Sequence, residues 1–159
     1  MIGSAYQWWL FLHITGILAF VMAHGVSAGV ALQLRHERNP DRIRALLQLS
    51  NSSTSVFYVG ILLLVAAGVV MGFQGHWWGQ GWIWTAIVVL FLTMAAMYAV
   101  ATPYYRRVRR VMQIQESGGT AVGADEIEQL MRSGRPGLIL LVGAVPLLFI
   151  LYLMVLKPF

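Results

Sequence analysis

Four apolar segments, separated by polar ones, dominate the sequence. Each is about 20 residues long, the length that an α-helix needs to cross a hydrocarbon layer of ~30 Å. The segments cover residues 8–34, 56–73, 82–102 and 138–156. Because each segment should cross the membrane once, successive helices should run antiparallel. We therefore expect an all-α fold, an integral membrane four-helix antiparallel bundle that forms a single transmembrane domain over residues 1–159.

Composition agrees with this pattern, and the position of the charges orients the bundle. The chain is 58% hydrophobic and 11% charged, which excludes an ordinary soluble domain. Ten of the eleven basic residues lie in two connecting segments, 35–55 and 103–137. Basic loops stay in the cytoplasm, so the prediction is N-out/C-out. The net charge of +5 is then explained by the basic loops beside the lipid bilayer, and we expect no nucleic acid partner.

The tryptophans give an independent indication of the same orientation. Tryptophan prefers the boundary between lipid and water. All six tryptophans belong near the outer boundary in this topology: Trp8, Trp9, Trp77, Trp78, Trp82 and Trp84.

The two basic loops have helix-forming features of their own. In the first, Asn39 is a suitable N-cap and Pro40 suits the first helical position. A short interfacial helix should follow, and "SNSSTS" then marks the inner interface or forms the first turns of a longer second helix. In the second loop we expect another short helix over about 125–132, which Gly134 and Pro136 end.

The membrane interior lacks charge but contains two histidines. All six acidic residues lie in the loops, and the predicted spans contain no Lys or Arg. The carboxylate of a proton-coupled transporter and the acidic ring of a cation channel are therefore not visible. His13 and His24 are the most polar side chains within the spans.

These histidines share one face of the first helix. Eleven residues at ~100° each place His24 within about 20° of His13, and ~16 Å away along the axis. A strip of small side chains lies beside them, which permits close approach of a helix or of a flat ligand. The strip consists of Gly16, Ala19, Ala23, Ser27 and Ala31.

Histidine and methionine are the plausible metal ligands, because the chain contains no cysteine. Pairs of His/His or His/Met hold haem b, and His with Met also suits copper(I). By depth, Met71 reaches the level of His13, and the loop residue His76 could fold back towards it. Met94 and Met97 approach the level of His24. The alternative is that each imidazole is neutral and hydrogen-bonds a neighbouring helix.

These residues also carry a resemblance to known membrane families. The opening "WLFLH", the inner "RHER", "AAGVVMG" in the second helix and "ATPYYRR" closing the third resemble three related groups. They are the copper-resistance D domain, the bacterial four-helix haem-binding protoporphyrinogen oxidase, and an uncharacterised predicted integral membrane family of about this length. The resemblance to the oxidase implies that His13 ligates haem, and the resemblance to copper-resistance D implies copper uptake. Both imply a multi-pass protein of the bacterial inner (cytoplasmic) membrane.

Our leading hypothesis is a haem b-binding redox protein of the membrane. His13 would be an axial ligand, with His76 or Met71 opposite, and His24 would support a second site. Electrons would pass to or from a quinone or a membrane redox partner, and a homodimer could supply one ligand. One alternative is a copper protein that uses His13 and His24 with Met71, Met94 and Met97; another is a cofactor-free accessory subunit. Whether the chain is an oxidoreductase that turns over a substrate stays open, and no catalytic residue is assigned.

Overall fold

A computed structural model describes residues 3–116 and 134–159 of the chain. Their helices are α1 (Ser4–Leu34), α2 (Pro40–Gln74), α3 (Gly81–Glu116) and α4 (Arg135–Leu156). A single 3₁₀ turn, Trp77–Gly79, joins α2 to α3. Each of the four helices is long and apolar enough to cross a membrane, and the described residues contain no strand. The prediction of an all-α membrane bundle of four helices is confirmed.

The helices pack in the spatial order α2, α1, α4, α3, with neighbours antiparallel. The contact between α1 and α2 is so close that their backbones touch. A Cβ added to Gly16 would lie 2.5 Å from the backbone nitrogen of Leu64 and 2.8 Å from the carbonyl oxygen of Gly60. Ala19, in turn, contacts Gly60. Part of the predicted small-residue strip of α1 is therefore a helix-packing surface.

Helix α2 begins where its capping residues predict. Asn39 is the N-cap, and its side-chain oxygen accepts hydrogen bonds from the backbone N–H groups of Asp41 and Arg42. Pro40 occupies the first helical position. In the preceding turn, the carboxylate of Glu37 accepts hydrogen bonds from the backbone N–H groups of Asn39 and Arg38, each at 2.9 Å. These two bonds lower the pKa of Glu37 below its ordinary value of 4.5.

The structure differs from the predicted first loop after this cap. Residues 40–55 are the first turns of α2 itself, so the longer-helix alternative is the one observed. After Pro40 the segment contains no further Pro and no Gly, so nothing in it stops the helix. Its hydroxyls bond back to carbonyls of the preceding turn, Ser52 to Gln48 at 3.0 Å and Thr54 to Ser50 at 3.2 Å. Polar side chains are thereby satisfied without interrupting the helix.

Helix α3 also continues past its predicted end near residue 102. It passes through Pro103 and reaches Glu116. The extension is stabilised by an apolar cluster in which Tyr104, Val111 and Met112 pack against α1, α2 and α4, through residues that include Leu34, Ile43, Leu47 and Ile139. We call this side of the molecule the arginine end, because α3 carries Arg106, Arg107, Arg109 and Arg110 there. The short helix predicted over 125–132 lies outside the described residues.

The opposite side of the bundle, the tryptophan end, is built from Trp77, Trp78, Trp82 and Trp84. Trp82 is buried, and its backbone N–H donates to the carbonyl of Phe159 at 3.2 Å. The ammonium of Lys157 lies 4.2 Å from the centroid of the Trp77 ring, a cation–π contact. These contacts join the ends of α2, α3 and α4.

Candidate functional site

The two histidines of α1 do not meet the same neighbour. Each imidazole lies against a glycine of a different helix: His13 contacts Gly68 of α2, and His24 contacts Gly143 of α4. The two rings therefore occupy separate sites. The shared face that the sequence predicts for them is divided between two packing partners.

The ring of His13 is held by the backbone of α2. Its Nδ1 lies 2.8 Å from the carbonyl oxygen of Leu64. A carbonyl oxygen only accepts hydrogen bonds, so Nδ1 carries the proton and donates it. A Cβ on Gly68 would come within 3.1 Å of the ring carbon Cε1, so glycine gives the imidazole its space. The geometry thereby fixes both the tautomer and the orientation of His13.

The other nitrogen of this ring keeps its lone pair. In the neutral imidazole with Nδ1 protonated, Nε2 is the acceptor. Within 3–116 and 134–159, no residue hydrogen-bonds Nε2 of His13, and that atom is not among the fully buried, unpartnered ones. Metal-ligating histidines usually have this arrangement, with one nitrogen bonded to a carbonyl or carboxylate and the other free for the metal.

His24 is more deeply enclosed, with 9% of its surface exposed. A Cβ placed on Gly143 would overlap the imidazole at Nε2 and Cε1, so the ring occupies the space where any other residue would have a side chain. Nε2 of His24 is buried and has no hydrogen-bond partner among the described residues. Its surroundings hold the ring by packing and do not orient either nitrogen by a hydrogen bond.

The remaining predicted ligands are spread over the bundle. Met71 is buried on α2, three residues beyond Gly68 and therefore ~4.5 Å further towards the tryptophan end. His76 is exposed in the turn after α2, where its backbone has a left-handed conformation (φ 54°). It lies ~9 Å or more beyond Gly68 along the helix axis. Met97 is partly buried against the apolar cluster of the arginine end, and Met94 is half-buried one turn away.

No described group of three or more His, Asp or Glu side chains converges as a protein metal site would. This observation does not address haem, which needs only one or two protein ligands. The assignments of His13, His24, His76 and Met71 to haem, and of Met94 and Met97 to copper, thus stay predictions.

Sequence reasoning missed the groups that receive the histidines. They are the Leu64 carbonyl, Gly68 and Gly143. A glycine inside an apolar helix indicates a close approach by another group, and both glycines carry that indication. Which group approaches cannot be read from the glycine itself.

A cluster of hydroxyls near the arginine end was also not predicted. The Oγ atoms of Ser27 and Ser50 lie 3.3 Å apart, and the Tyr105 hydroxyl donates to the backbone carbonyl of Ser27 at 2.5 Å. Tyr104 donates to the Ala31 carbonyl at 3.4 Å. These bonds join α1 to α2 and α3, so the inner part of the small-residue strip of α1 is also used for packing.

Comparisons with known proteins give one partial similarity. No protein family matches the chain, and no solved structure matches it. Over 56 residues it is 45% identical to the CD81 antigen of Rattus norvegicus, covering 35% of this chain and 24% of that protein. The CD81 antigens of Homo sapiens and Mus musculus are each 43% identical over 56 residues. The chain thus matches about a quarter of the length of these relatives.

The four long apolar helices show a multi-pass membrane protein, and 56 residues are enough for about two such helices with their connection. The resemblance to copper-resistance D proteins and to the porphyrinogen oxidase finds no counterpart among these matches, so that resemblance stays a prediction.

Proposed function

We propose that the protein is a haem b-binding redox protein of the membrane and that His13 is an axial ligand through Nε2. The observation that carries the proposal is the 2.8 Å hydrogen bond from Nδ1 of His13 to the Leu64 carbonyl. This bond leaves Nε2 with a free lone pair, and the ring cannot rotate without breaking the bond. An imidazole anchored in this way is a stronger and better oriented ligand than a free one.

The residues around His13 fit such a role. The Leu64 carbonyl accepts the hydrogen bond from Nδ1, and Gly68 makes room for the ring. Haem, when bound, would supply one-electron chemistry. The chain would supply the ligand, its orientation and an apolar environment.

In this proposal a second ligand to the haem iron would come from one of two residues. Met71 is the nearer candidate within the chain, since it is buried on α2 within one turn of Gly68. His76 is exposed and belongs to the turn at the tryptophan end, so it would serve more readily as a ligand to a second copy of the chain. The electron partner would be a quinone or another protein, and the location the bacterial inner membrane.

The test is an absorption spectrum of protein purified in mild detergent from haem-replete cells. We expect a Soret band that His13→Ala abolishes. His36→Ala is the matched control, because His36 is exposed at the end of α1 and should leave the band unchanged. Met71→Ala and His76→Ala then identify the opposite ligand by the shift of the reduced spectrum. A colourless wild-type preparation, or a band that survives His13→Ala, contradicts the proposal.

A cofactor-free accessory subunit is the second candidate. It is favoured by the packing of His24 on Gly143 and of the small residues of α1 on neighbouring helices, because both are then explained without a ligand. In that case the same preparation has no Soret band and no bound metal, and it co-purifies with a membrane partner. Copper bound by His13 and His24 with Met71, Met94 and Met97 is distinguished by elemental analysis of the colourless protein.

A further inference from the structure

A groove on α3 at the arginine end has no role in the site described above. It has a volume of about 320 Å³ and is lined by α3 alone, through residues that include Tyr98, Thr102, Arg106, Arg107 and Arg110. The opposite face of this helix carries Tyr104 and Tyr105 into the core. The groove therefore faces away from the bundle, towards lipid and the membrane surface.

The groove is strongly basic. Arg106, Arg107 and Arg110 are all exposed, and none of them forms an ion pair within the described part of the chain. Guanidinium groups bind phosphate through paired hydrogen bonds, and they remain charged at every physiological pH. Three of them on two adjacent turns provide a complementary site for one phosphate group.

The level of the groove in the membrane favours a lipid over a soluble phosphate compound as its ligand. Trp82 marks the tryptophan end of α3, and a span of about 20 residues from there ends near Thr102. Tyr98 then lies within the edge of the hydrocarbon layer, while Arg106 lies ~6 Å beyond Thr102, at the level of the head groups. A ligand that fills the groove must be apolar at one end and anionic at the other.

The helix backbone provides a further polar group. Pro103 has no N–H, so the carbonyl of Ala99 lacks the donor that the helix would otherwise offer it. Ala99 itself lines the groove. A hydroxyl of a glycerol head group could donate to this carbonyl. Two turns deeper on the same face, Phe91 is 63% exposed and offers an apolar surface for an acyl chain.

We propose that this groove binds one anionic phospholipid, with its phosphate between Arg106, Arg107 and Arg110 and its acyl chains along α3. The proposal is independent of haem binding. It differs from a general attraction between basic loops and the membrane because it specifies one site, a defined stoichiometry and a requirement for the space beside Ala99.

Native mass spectrometry of the detergent-solubilised full chain tests the proposal. Dioleoyl phosphatidylglycerol is titrated against dioleoyl phosphatidylcholine, which has the same chains and no net charge. We expect one phosphatidylglycerol to bind preferentially and each Arg→Gln substitution in the groove to weaken it about fivefold. The charge-matched control replaces Arg42, Arg44 and Arg135, which lie at the same end but outside the groove.

A second variant separates the shape of the groove from its charge. Ala99→Phe places a phenyl ring in the groove without removing an arginine, and an exposed apolar residue at this position should not disturb folding. We expect it to reduce binding at least fivefold. Three outcomes would each overturn the proposal. They are equal binding of phosphatidylcholine, an equal loss of binding when all three groove arginines and when the three control arginines are replaced by Gln, and equally tight binding of glycerol phosphate lacking acyl chains. Circular dichroism confirms that each variant is folded.

Discussion

Gly16→Ala should push α1 and α2 apart and destabilise the protein, and the loss of stability can be worked out from the structure. The new methyl group would lie 2.5 Å from the backbone nitrogen of Leu64, where a contact of ~3.5 Å is needed. Neither neighbour is a flexible side chain, so the helices must move apart by about 1 Å. Overpacking of this kind costs ~1–3 kcal/mol, and strain on the His13–Leu64 hydrogen bond adds ~0.5–1.5 kcal/mol. These costs add to about 1.5–4.5 kcal/mol. Alanine is the better helix former by ~1 kcal/mol, so we expect the free energy of unfolding to fall by about 0.5–3.5 kcal/mol, and by about 1.5–4.5 kcal/mol relative to a Gly→Ala change that meets no neighbour.

The assay is equilibrium unfolding in mixed micelles with increasing sodium dodecyl sulphate, followed by circular dichroism. Gly29→Ala is the matched control, because it lies on the same helix and its Cβ would meet nothing within 4 Å. Alanine is the better helix former by ~1 kcal/mol, so the control should be neutral or slightly stabilising. If the free energies of unfolding of Gly16→Ala and the control differ by less than ~0.5 kcal/mol, the backbones of α1 and α2 are not in contact and the reasoning fails.

Two further predictions concern the second histidine and the turn before α2. Gly143→Ala should destabilise the protein by ~1–3 kcal/mol because its methyl overlaps the His24 ring. Adding His24→Ala to this variant should recover much of that loss. If the effects of the two substitutions on the free energy of unfolding simply add, the contact is refuted. The lowered pKa of Glu37 means that its contribution to stability is present above pH 4.5 and is lost as the pH falls below that value. Glu37→Gln should therefore flatten the acid side of a thermal-stability profile relative to wild type, whereas parallel profiles would contradict the assignment.

The histidines illustrate how far the sequence reached into the candidate site. Their position on one face of α1 follows from helix geometry, and the possibility of hydrogen bonding to another helix was foreseen. The acceptor was not: Leu64 lies 51 residues from His13 along the chain. Its carbonyl belongs to the backbone, and every residue type offers the same group, so no sequence pattern could indicate it.

The interpretation of the small-residue strip shows the same limit. Small side chains allow close approach, but they are equally suited to a helix and to a flat ligand. In the structure Gly16 and Ala19 meet α2, and the Ser27 and Ala31 carbonyls accept bonds from tyrosines of α3. The choice between the two readings required the neighbouring helices.

The helix boundaries divide in a similar way. Asn39 and Pro40 fixed the start of α2 because a cap acts through its own backbone neighbours. The predicted inner ends of the spans were placed at polar residues, yet α2 and α3 extend well past the apolar segments. Hydropathy reports where lipid ends, whereas a helix ends only where its hydrogen bonding is interrupted. The extension of α3 is stabilised by a cluster that four helices build together.

The sequence by itself determined the four spans, the separation of tryptophans from arginines, and the placing of two histidines in an uncharged interior. These properties depend on the residue types within single segments and on their transfer between water and lipid. The tertiary structure alone decided the order α2, α1, α4, α3, and with it which histidine meets a carbonyl and which meets only a glycine. That decision depends on backbone approach between distant segments, which is a property of packed pairs of helices and not of any one of them.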